Sequence, residues 1–283
     1  MKALDKIRQA ASILKASQIE QAFKEAELIV AYCLGTDKVV LYRDDPLIPG
    51  EILSRIDRMV QRRKEREPLQ YILSIVDFSG LKIRVGPGVL IPRPETELLV
   101  EEAIKTMHML IEDTSSPFNI LDVCTGSGCV ALALAQENPN AQVHGTDVSE
   151  EAITYAKKNS EINKIKNVTF FTGSLFQPVE GMTFDLIVSN PPYIRTDDIK
   201  RLQPEIKNWE PIEALNGGAD GMAYSHRILD EGVSFLKQRG CIILELGDQQ
   251  MESIMKMSCM QRFSEKEITK DLSGIKRIFK ACL

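Results

Sequence analysis

The sequence of 283 residues is poor in the side chains that build metal centres and disulfide scaffolds. It has only three histidines, His108, His144 and His226, and they lie far apart, so no metal site is expected. Six cysteines are scattered without a Cys-x-x-Cys spacing, which predicts small buried thiols in a reducing compartment. No apolar run approaches the roughly 20 residues of a membrane span, and the charged N-terminus is unlike a signal peptide. These absences predict a soluble, cytoplasmic protein without membrane contact.

Positive charge is also in short supply. The chain has 35 Lys and Arg against 40 Asp and Glu, a net charge of -5. Proteins that mainly grip nucleic-acid phosphates need a basic surface, so direct nucleic-acid binding is not expected. The hydrophobic fraction of 43% is that of an ordinary globular chain, long enough for one large or two smaller domains.

The N-terminal quarter has the apolar period of α-helices. Three or four helices can be drawn between residue 1 and about residue 68, separated by Gly35, Asp37 and Pro49, and we assign a helical-bundle domain to residues 1–75. The helix after Pro49 carries cationic residues on its predicted exposed side: Arg55, Arg58, Arg62, Arg63, Lys64 and Arg66. A solvated helix face is the favoured interpretation of this cluster, and an acidic or RNA-associated partner is the alternative.

The remaining chain changes to strand patterns. Alternating apolar residues and glycines predict a β-hairpin linker over residues 76–93. An ordered loop and helix cap follow, in which Arg93, Glu95 and Glu97 could position a substrate or a cofactor. After a linker at residues 114–117, strands and helices alternate, so residues 94–283 are predicted to form a parallel sheet covered by helices.

The first strand of that sheet is followed by a glycine-rich loop, Asp122-Val-Cys-Thr-Gly-Ser-Gly128. Gly126 and Gly128 allow a tight turn and a close approach of a ligand to backbone N–H groups. Asp147 ends the next strand, where a carboxylate can accept both hydroxyl hydrogens of a ribose. Together they predict a cofactor that contains adenosine. A dinucleotide and S-adenosylmethionine both fit, but Asp122 suits the positive sulfonium of the latter.

The motif Asn190-Pro191-Pro192-Tyr193 follows a buried apolar strand. The two prolines make its backbone extended and stiff, and Asn190 lies where open α/β sheets place their chemistry. An Asn-capped turn is the simpler interpretation of the motif alone. If Asn190 Oδ1 and the Pro191 carbonyl accept the two hydrogens of a planar nitrogen, its lone pair can turn toward a methyl donor, while Tyr193 stacks on the planar group. This chemistry favours S-adenosylmethionine over a dinucleotide.

These motifs belong to a series of blocks in which the sequence resembles the peptide chain release factor N(5)-glutamine methyltransferases (HemK/PrmC). The blocks are Pro68-Leu-Gln-Tyr71-Ile72, Val89-Leu-Ile-Pro-Arg-Pro-Glu-Thr-Glu97, Thr125-Gly-Ser-Gly128, Val188-Ser-Asn-Pro-Pro-Tyr-Ile194, Trp209-Glu-Pro211, Ala214-Leu215, Gly217-Gly-Ala-Asp-Gly221, Leu244-Glu-Leu-Gly247 with Gln250, and Lys270-Asp-Leu-Ser-Gly274. The resemblance implies a Rossmann-like, seven-stranded S-adenosylmethionine-dependent methyltransferase sheet, and an N-terminal helical domain that helps to dock a release factor. The implied substrate is the glutamine in that factor's Gly-Gly-Gln loop. We expect a monomer.

The resemblance also implies roles for individual residues. It places the cofactor against Cys124, Thr125, Gly126, Ser127 and Gly128, with Asp147 at the ribose, Leu175 near the adenine and Asn190 near the methyl group. It assigns the substrate glutamine to Asn190, Pro191, Pro192 and Tyr193. The sequence departs from the family pattern at Cys124, where Gly is preferred, and at Ser174, where Asp is common. Cys124 is expected to be tolerated with a negative φ.

Other functions stay open at this point. A related methyltransferase could modify a glutamine of a large-subunit ribosomal protein, and a DNA adenine-N6 methyltransferase also uses Asn-Pro-Pro-Tyr. The acidic chain and the lack of a long recognition insert disfavour the DNA enzyme. A non-catalytic module that only binds the cofactor is the alternative from a different functional class.

Overall fold

The computed structural model of the protein describes residues 1–111 and 117–283. The described chain forms two compact units, one of residues 1–75 with 203–209 and the other of residues 76–202 with 210–283. No sequence pattern indicated that residues 203–209 belong with the N-terminal unit. Of the predicted linker at residues 114–117, all but Pro117 lies outside the described residues.

In chain order, the helices are α1 Ala3–Ala16, α2 Ala22–Leu34, α3 Lys38–Asp44, α4 Gly50–Lys64, α5 Leu69–Leu73, α6 Thr96–Leu110, α7 Cys129–Glu137, α8 Glu150–Asn163, α9 Pro204–Lys207, α10 Ala223–Gly232 and α11 Met251–Met255. The strands are β1 Ile75–Phe78, β2 Leu81–Arg84, β3 Asn119–Val123, β4 Gln142–Asp147, β5 Val168–Thr172, β6 Phe184–Ser189, β7 Leu236–Glu245, β8 Glu265–Lys270 and β9 Lys276–Cys282.

Local signals set the helix ends of the first unit. Gly35 adopts a left-handed conformation (φ 64°) and closes α2, a conformation that costs glycine little. The Asp37 side chain caps α3 by accepting the Val40 N–H at 2.9 Å. Pro49 precedes the first turn of α4. The apolar faces of α1, α2 and α4 meet in one buried core, as the helical period predicts.

One residue of the cationic cluster on α4 lies inside the first unit. The prediction that all six side chains are exposed is wrong for Arg63, which is 5% exposed and pairs with Glu25 and with Glu205 of α9. Arg66 donates to the other oxygen of Glu205 at 2.7 Å. Because burying a guanidinium requires compensating charge, these two carboxylates explain how Arg63 can turn inward. Two arginines thereby hold residues 203–209 in this unit.

The second unit is built on a seven-stranded sheet in the order β5-β4-β3-β6-β7-β9-β8. Strands β3 to β7 pair in parallel, and β9 runs antiparallel between β7 and β8. The predicted seven-stranded α/β sheet is therefore confirmed. Val123 is paired with Thr146 and with Ser189, so the carboxyl ends of β3, β4 and β6 meet at one edge. Open parallel sheets bind ligands at this edge.

Two expectations fail near the C-terminus. The helix predicted over residues 225–237 is wrong at its end, because α10 stops at Gly232 and the apolar residues after it lead into β7. Cys241 and Cys282 are directly paired on β7 and β9 and form a disulfide with an S–S distance of 2.06 Å. Sequence spacing could not reveal a pair 41 residues apart that only the sheet register brings together.

The hairpin of β1 and β2 is held to α8 by two asparagines that act as strand partners. Asn159 Oδ1 accepts the Arg84 N–H at 2.7 Å, and its Nδ2 donates to the Arg84 and Ser127 carbonyls. Asn163 makes a similar pair of hydrogen bonds to the backbone of Lys82. Asn159 is fully buried, so it connects the hairpin to the glycine-rich loop through the protein interior.

Replacing Asn159 with alanine should lower the free energy of unfolding by about 2–4 kcal/mol, because it leaves one N–H and two carbonyl groups buried without these partners. Asn163→Ala is the matched control, since its bonds to Lys82 are near solvent, and it should cost about 1 kcal/mol or less. Urea unfolding of both variants measures the difference. Equal costs for the two changes would contradict the bridging role of Asn159.

Within the described ranges, no helix has the length and apolar character needed to cross a membrane.

Candidate active site

A cavity of about 440 Å³ opens in the second unit at the carboxyl edge of the parallel strands. Most of the residues predicted to contact a cofactor or substrate line it: Cys124, Thr125, Gly126, Ser127, Asp147, Leu175, Asn190 and Pro192. Gly128, Pro191 and Tyr193, which were also predicted, are not among the lining residues. The fold thus brings the glycine-rich loop and the Asn-Pro-Pro-Tyr motif to one space, although more than 60 residues separate them in the sequence.

Asp122 lies on the floor of this cavity and is 1% exposed. Its Oδ2 accepts the Thr125 hydroxyl at 2.6 Å and the Ala131 N–H at 3.1 Å. Burial raises the pKa of Asp122 to about 7, and these two hydrogen bonds oppose the rise. A carboxyl group that gains charge near neutral pH is suited to receive a cation in the cavity.

Asp147, at the end of β4, supports the glycine-rich loop and faces the cavity. Its Oδ2 accepts the Gly126 N–H at 2.9 Å, and its Oδ1 accepts the Ser149 N–H at 2.9 Å. Burial raises the pKa of Asp147, whereas the backbone hydrogen bonds lower it. Because each carboxylate oxygen has a second lone pair, Asp147 can still accept two hydroxyl groups from a ligand.

The backbone at Cys124 differs from expectation. A negative φ was predicted there, but the structure has φ 61°, in the left-handed region that glycine adopts most easily. Cys124 packs against the core beneath the loop, and Thr125 fixes the turn by donating its N–H to the Thr146 carbonyl at 3.0 Å. The chain direction is therefore set by the β3–β4 pairing, and the cysteine side chain bears the strain.

The glycines of the loop have different tasks. At Gly126 (φ 55°), a Cβ would point into open space, so a ligand can approach the backbone. At Gly128 (φ 79°), a Cβ would lie 3.0 Å from Ala156 on α8 and from Phe170. Gly126 thus leaves room for a ligand, while Gly128 permits close packing of α8, which explains why it is absent from the cavity wall.

The Asn-Pro-Pro-Tyr motif is held by a frame of glycines and one glutamine. Gln250 donates from Nε2 to the carbonyls of Tyr193 and Gly221, both at 3.0 Å, and its Oε1 accepts the Gly247 N–H at 2.8 Å. A Cβ at Gly217 would lie 2.7 Å from the Pro192 carbonyl oxygen. Blocks of sequence that carry the family resemblance therefore build the support for the motif, a role that could not be assigned before the fold was known.

Asn190 and Tyr193 both connect to residues that sequence reasoning missed. Asn190 Nδ2 donates to the Thr96 hydroxyl oxygen at 3.0 Å, and the Tyr193 hydroxyl donates to Glu245 Oε1 at 3.3 Å. Thr96 is 2% and Glu245 is 1% exposed. Burial raises the pKa of Glu245, and interactions with the Thr96 hydroxyl lower it. Both residues lie within blocks that carry the resemblance, but neither block indicated this function.

The three charged residues predicted near the site entrance separate in the structure. Arg93 lines the cavity and pairs with the buried Glu210 at 2.6 Å. Glu210 Oε2 also accepts the Ile91 N–H at 3.2 Å, so the pair fixes the loop before α6. Glu97 accepts the Ser79 N–H at 2.8 Å and has a structural role, whereas Glu95 is exposed and does not line the cavity.

The cavity residues fit S-adenosylmethionine. Asp147 supplies an acceptor for ribose hydroxyls, Leu175 an apolar wall near the predicted adenine position, and Asp122 a buried carboxylate for a cation. The open space at Gly126 admits a ligand beside the backbone. The volume is that of an ordinary small-molecule site. In the part of the chain that the structure describes, no three His, Cys, Asp or Glu side chains are grouped as metal ligands would be.

Two family models match the chain. The PrmC N-terminal domain matches residues 5–73, and the methyltransferase small domain matches residues 99–204. The chain is 44% identical to the release factor glutamine methyltransferase of Thermodesulfovibrio yellowstonii, over 98% of this chain and 97% of that protein. It is 31% identical to the release factor glutamine methyltransferase of Escherichia coli, over 96% and 95% of the two chains.

Solved structures share the fold at low sequence identity. The catalytic domain of hMettl16, in a crystal structure with the MAT2A 3'UTR hairpin 6, aligns with a TM-score of 0.53 and 17% identity. The alignment covers 82% of this chain and 81% of that chain. At this identity the likeness supports the fold alone.

Proposed function

Because this chain belongs to the release factor glutamine methyltransferase family, we propose that it transfers a methyl group from S-adenosylmethionine to the side-chain amide nitrogen of a release factor glutamine. The proposed target is the glutamine of the factor's Gly-Gly-Gln loop. The observation that carries the proposal is the meeting of the Asn190 amide with Asp122 and Asp147 in one cavity.

An amide nitrogen is a poor nucleophile because its lone pair is delocalised into the carbonyl. In the proposed reaction, Asn190 Oδ1 and the Pro191 carbonyl accept the two amide hydrogens and hold the nitrogen in line with the methyl group. Good alignment of two reactants can contribute roughly 7–11 kcal/mol to lowering the barrier, so no strong base is required. The sulfonium cofactor supplies the activated methyl group, and the protein supplies placement and the exclusion of water.

The experiment that tests this function offers several substrates to the purified protein with isotope-labelled S-adenosylmethionine. The panel contains an intact release factor, its Gln→Asn variant in the Gly-Gly-Gln loop, large-subunit ribosomal proteins and duplex DNA. Label should enter the unmodified release factor alone. Label in a ribosomal protein or in DNA adenine would favour one of the rival functions, and binding without any transfer would favour a non-catalytic module.

We further propose that the N-terminal unit docks the protein substrate through α4. Of its cationic residues, Arg63 and Arg66 are committed to Glu205, and Arg62 pairs with Glu67. Arg58 and Lys64 remain exposed on the surface of the helix. Positive charge at these positions can attract an acidic surface of the substrate and raise the rate of association.

Reversing both charges, with Arg58→Glu and Lys64→Glu, should raise KM for the intact release factor about fivefold to tenfold and leave kcat unchanged. The control is a short Gly-Gly-Gln peptide, whose KM should not change because it reaches the cavity without α4. Steady-state methylation of both substrates makes the comparison. An equal rise in KM for both would refute the docking role.

A further inference from the structure

Thr96 and Glu245 lie behind Asn190, and the proposed reaction gives them no direct task. We propose that Thr96 is a positioning residue that determines which end of the Asn190 amide faces the substrate, with Glu245 fixing the direction of the Thr96 hydroxyl. This role deepens the proposed function and rests on it. It concerns the orientation of one side chain, which hydrogen-bond donors and acceptors decide.

The first contact is that between Thr96 and Asn190. Thr96 is the first residue of α6, and its side chain is almost fully buried. Asn190 Nδ2 donates to Thr96 Oγ1 at 3.0 Å. The two ends of an amide group differ, because Nδ2 only donates hydrogen bonds and Oδ1 only accepts them. With Nδ2 turned back to Thr96, Oδ1 is the end left for the cavity that Asn190 lines.

The direction of the Thr96 hydroxyl depends on a second contact. A hydroxyl can donate or accept, so contact with Thr96 alone does not select one end of the amide. Glu245 ends β7 beside it, and the Thr96 hydroxyl interacts with the carboxylate, which also accepts the Tyr193 hydroxyl at 3.3 Å. Since an ionised carboxylate only accepts, the Thr96 proton points to Glu245 and its lone pair faces Asn190.

The consequence concerns the substrate. The nitrogen of a glutamine amide brings two hydrogens, which need acceptors if they are to be held. Asn190 in the observed orientation offers one, whereas the reversed amide would point its own hydrogens at those of the substrate. The buried pair therefore selects the productive orientation before the substrate arrives, which is the value of a preorganised site.

The test compares Thr96→Val with Thr96→Ser. Valine has nearly the same shape but cannot accept from Asn190, so kcat should fall roughly 10- to 100-fold, the loss expected when a reactant is misplaced. KM for the release factor and Kd for S-adenosylmethionine should stay within about twofold, and the thermal unfolding midpoint should change little. Serine keeps the hydroxyl and should restore most of kcat. An equal loss in both variants would show that Thr96 acts by packing, and the inference would fail.

Glu245→Gln gives the second arm. Glutamine can donate to Thr96, which releases the direction of the hydroxyl, and kcat should fall severalfold. Because Glu245 acts through Thr96, the double variant with Thr96→Val should be no slower than Thr96→Val alone. Losses that multiply would overturn the inference. The wild-type product, mapped by mass spectrometry, tests the proposed function separately: a product without methylglutamine refutes that function, whereas these rate ratios address the orientation alone.

Discussion

Replacing Asn190 with alanine should reduce the rate of methyl transfer at saturating substrates by roughly 10²- to 10³-fold while leaving S-adenosylmethionine bound. The variant removes the acceptor that we place against the substrate nitrogen. It leaves Asp122, Asp147 and the glycine-rich loop intact, and their hydrogen bonds do not involve Asn190. Single-turnover transfer to the release factor and calorimetric titration with the cofactor measure the two quantities separately.

The control for this variant is Asn140→Ala, which removes the same side chain from an exposed position outside the cavity and should have no effect on either quantity. Loss of cofactor binding together with transfer in Asn190→Ala would mean that Asn190 supports the cofactor site rather than the nucleophile. Retained transfer would remove the residue from the mechanism altogether.

The affinity for S-adenosylmethionine should rise with pH through neutrality because of Asp122. The pKa of this carboxyl group in the protein alone is about 7, raised by burial above its usual value. A cationic sulfonium favours the ionised form and lowers the pKa in the complex, so binding below pH 7 must first displace a proton. Kd should therefore increase by up to about tenfold per pH unit as the pH falls below 7, and level off above it.

S-adenosylhomocysteine is the matched ligand for this prediction, because its sulfur is an uncharged thioether and the rest of the molecule is the same. Its Kd should depend less on pH, and the ratio of the two affinities isolates the sulfonium from effects at Asp147 and at the ligand's own termini. Asp122→Asn should weaken S-adenosylmethionine binding at pH 8 and remove the difference in slope. Parallel pH profiles for the two ligands in the wild type would contradict the assignment of Asp122.

The sequence was informative wherever short segments determine local geometry. The strands before Asp122 and Asn190 are unbroken apolar runs, and both were predicted with the observed ends. Gly35 and Asp37 marked the ends of helices because their roles at helix termini need no tertiary partner. The site residues on the cavity wall were predictable for the same reason, since they follow directly from strands that end at one edge.

The failures involve partners distant in the sequence. Arg63 turns inward because Glu205 reaches it across more than 140 residues, and Cys241 meets Cys282 only through the register of β7 and β9. Cys124 takes a positive φ because pairing with the neighbouring strand fixes the turn. A pattern along one segment carries no information about such partners, so only the fold reveals the support behind Asn190.

The most direct test of the proposed function is to locate the methyl group on a release factor that has been treated with the purified protein and S-adenosylmethionine. Tandem mass spectrometry of the peptide that contains the Gly-Gly-Gln loop identifies the modified atom. We predict one methyl group on the side-chain amide nitrogen of the glutamine, present with the wild-type protein and reduced to trace levels with Asn190→Ala. A methyl group on another residue, or an unmodified glutamine after complete cofactor turnover, would contradict the proposed function.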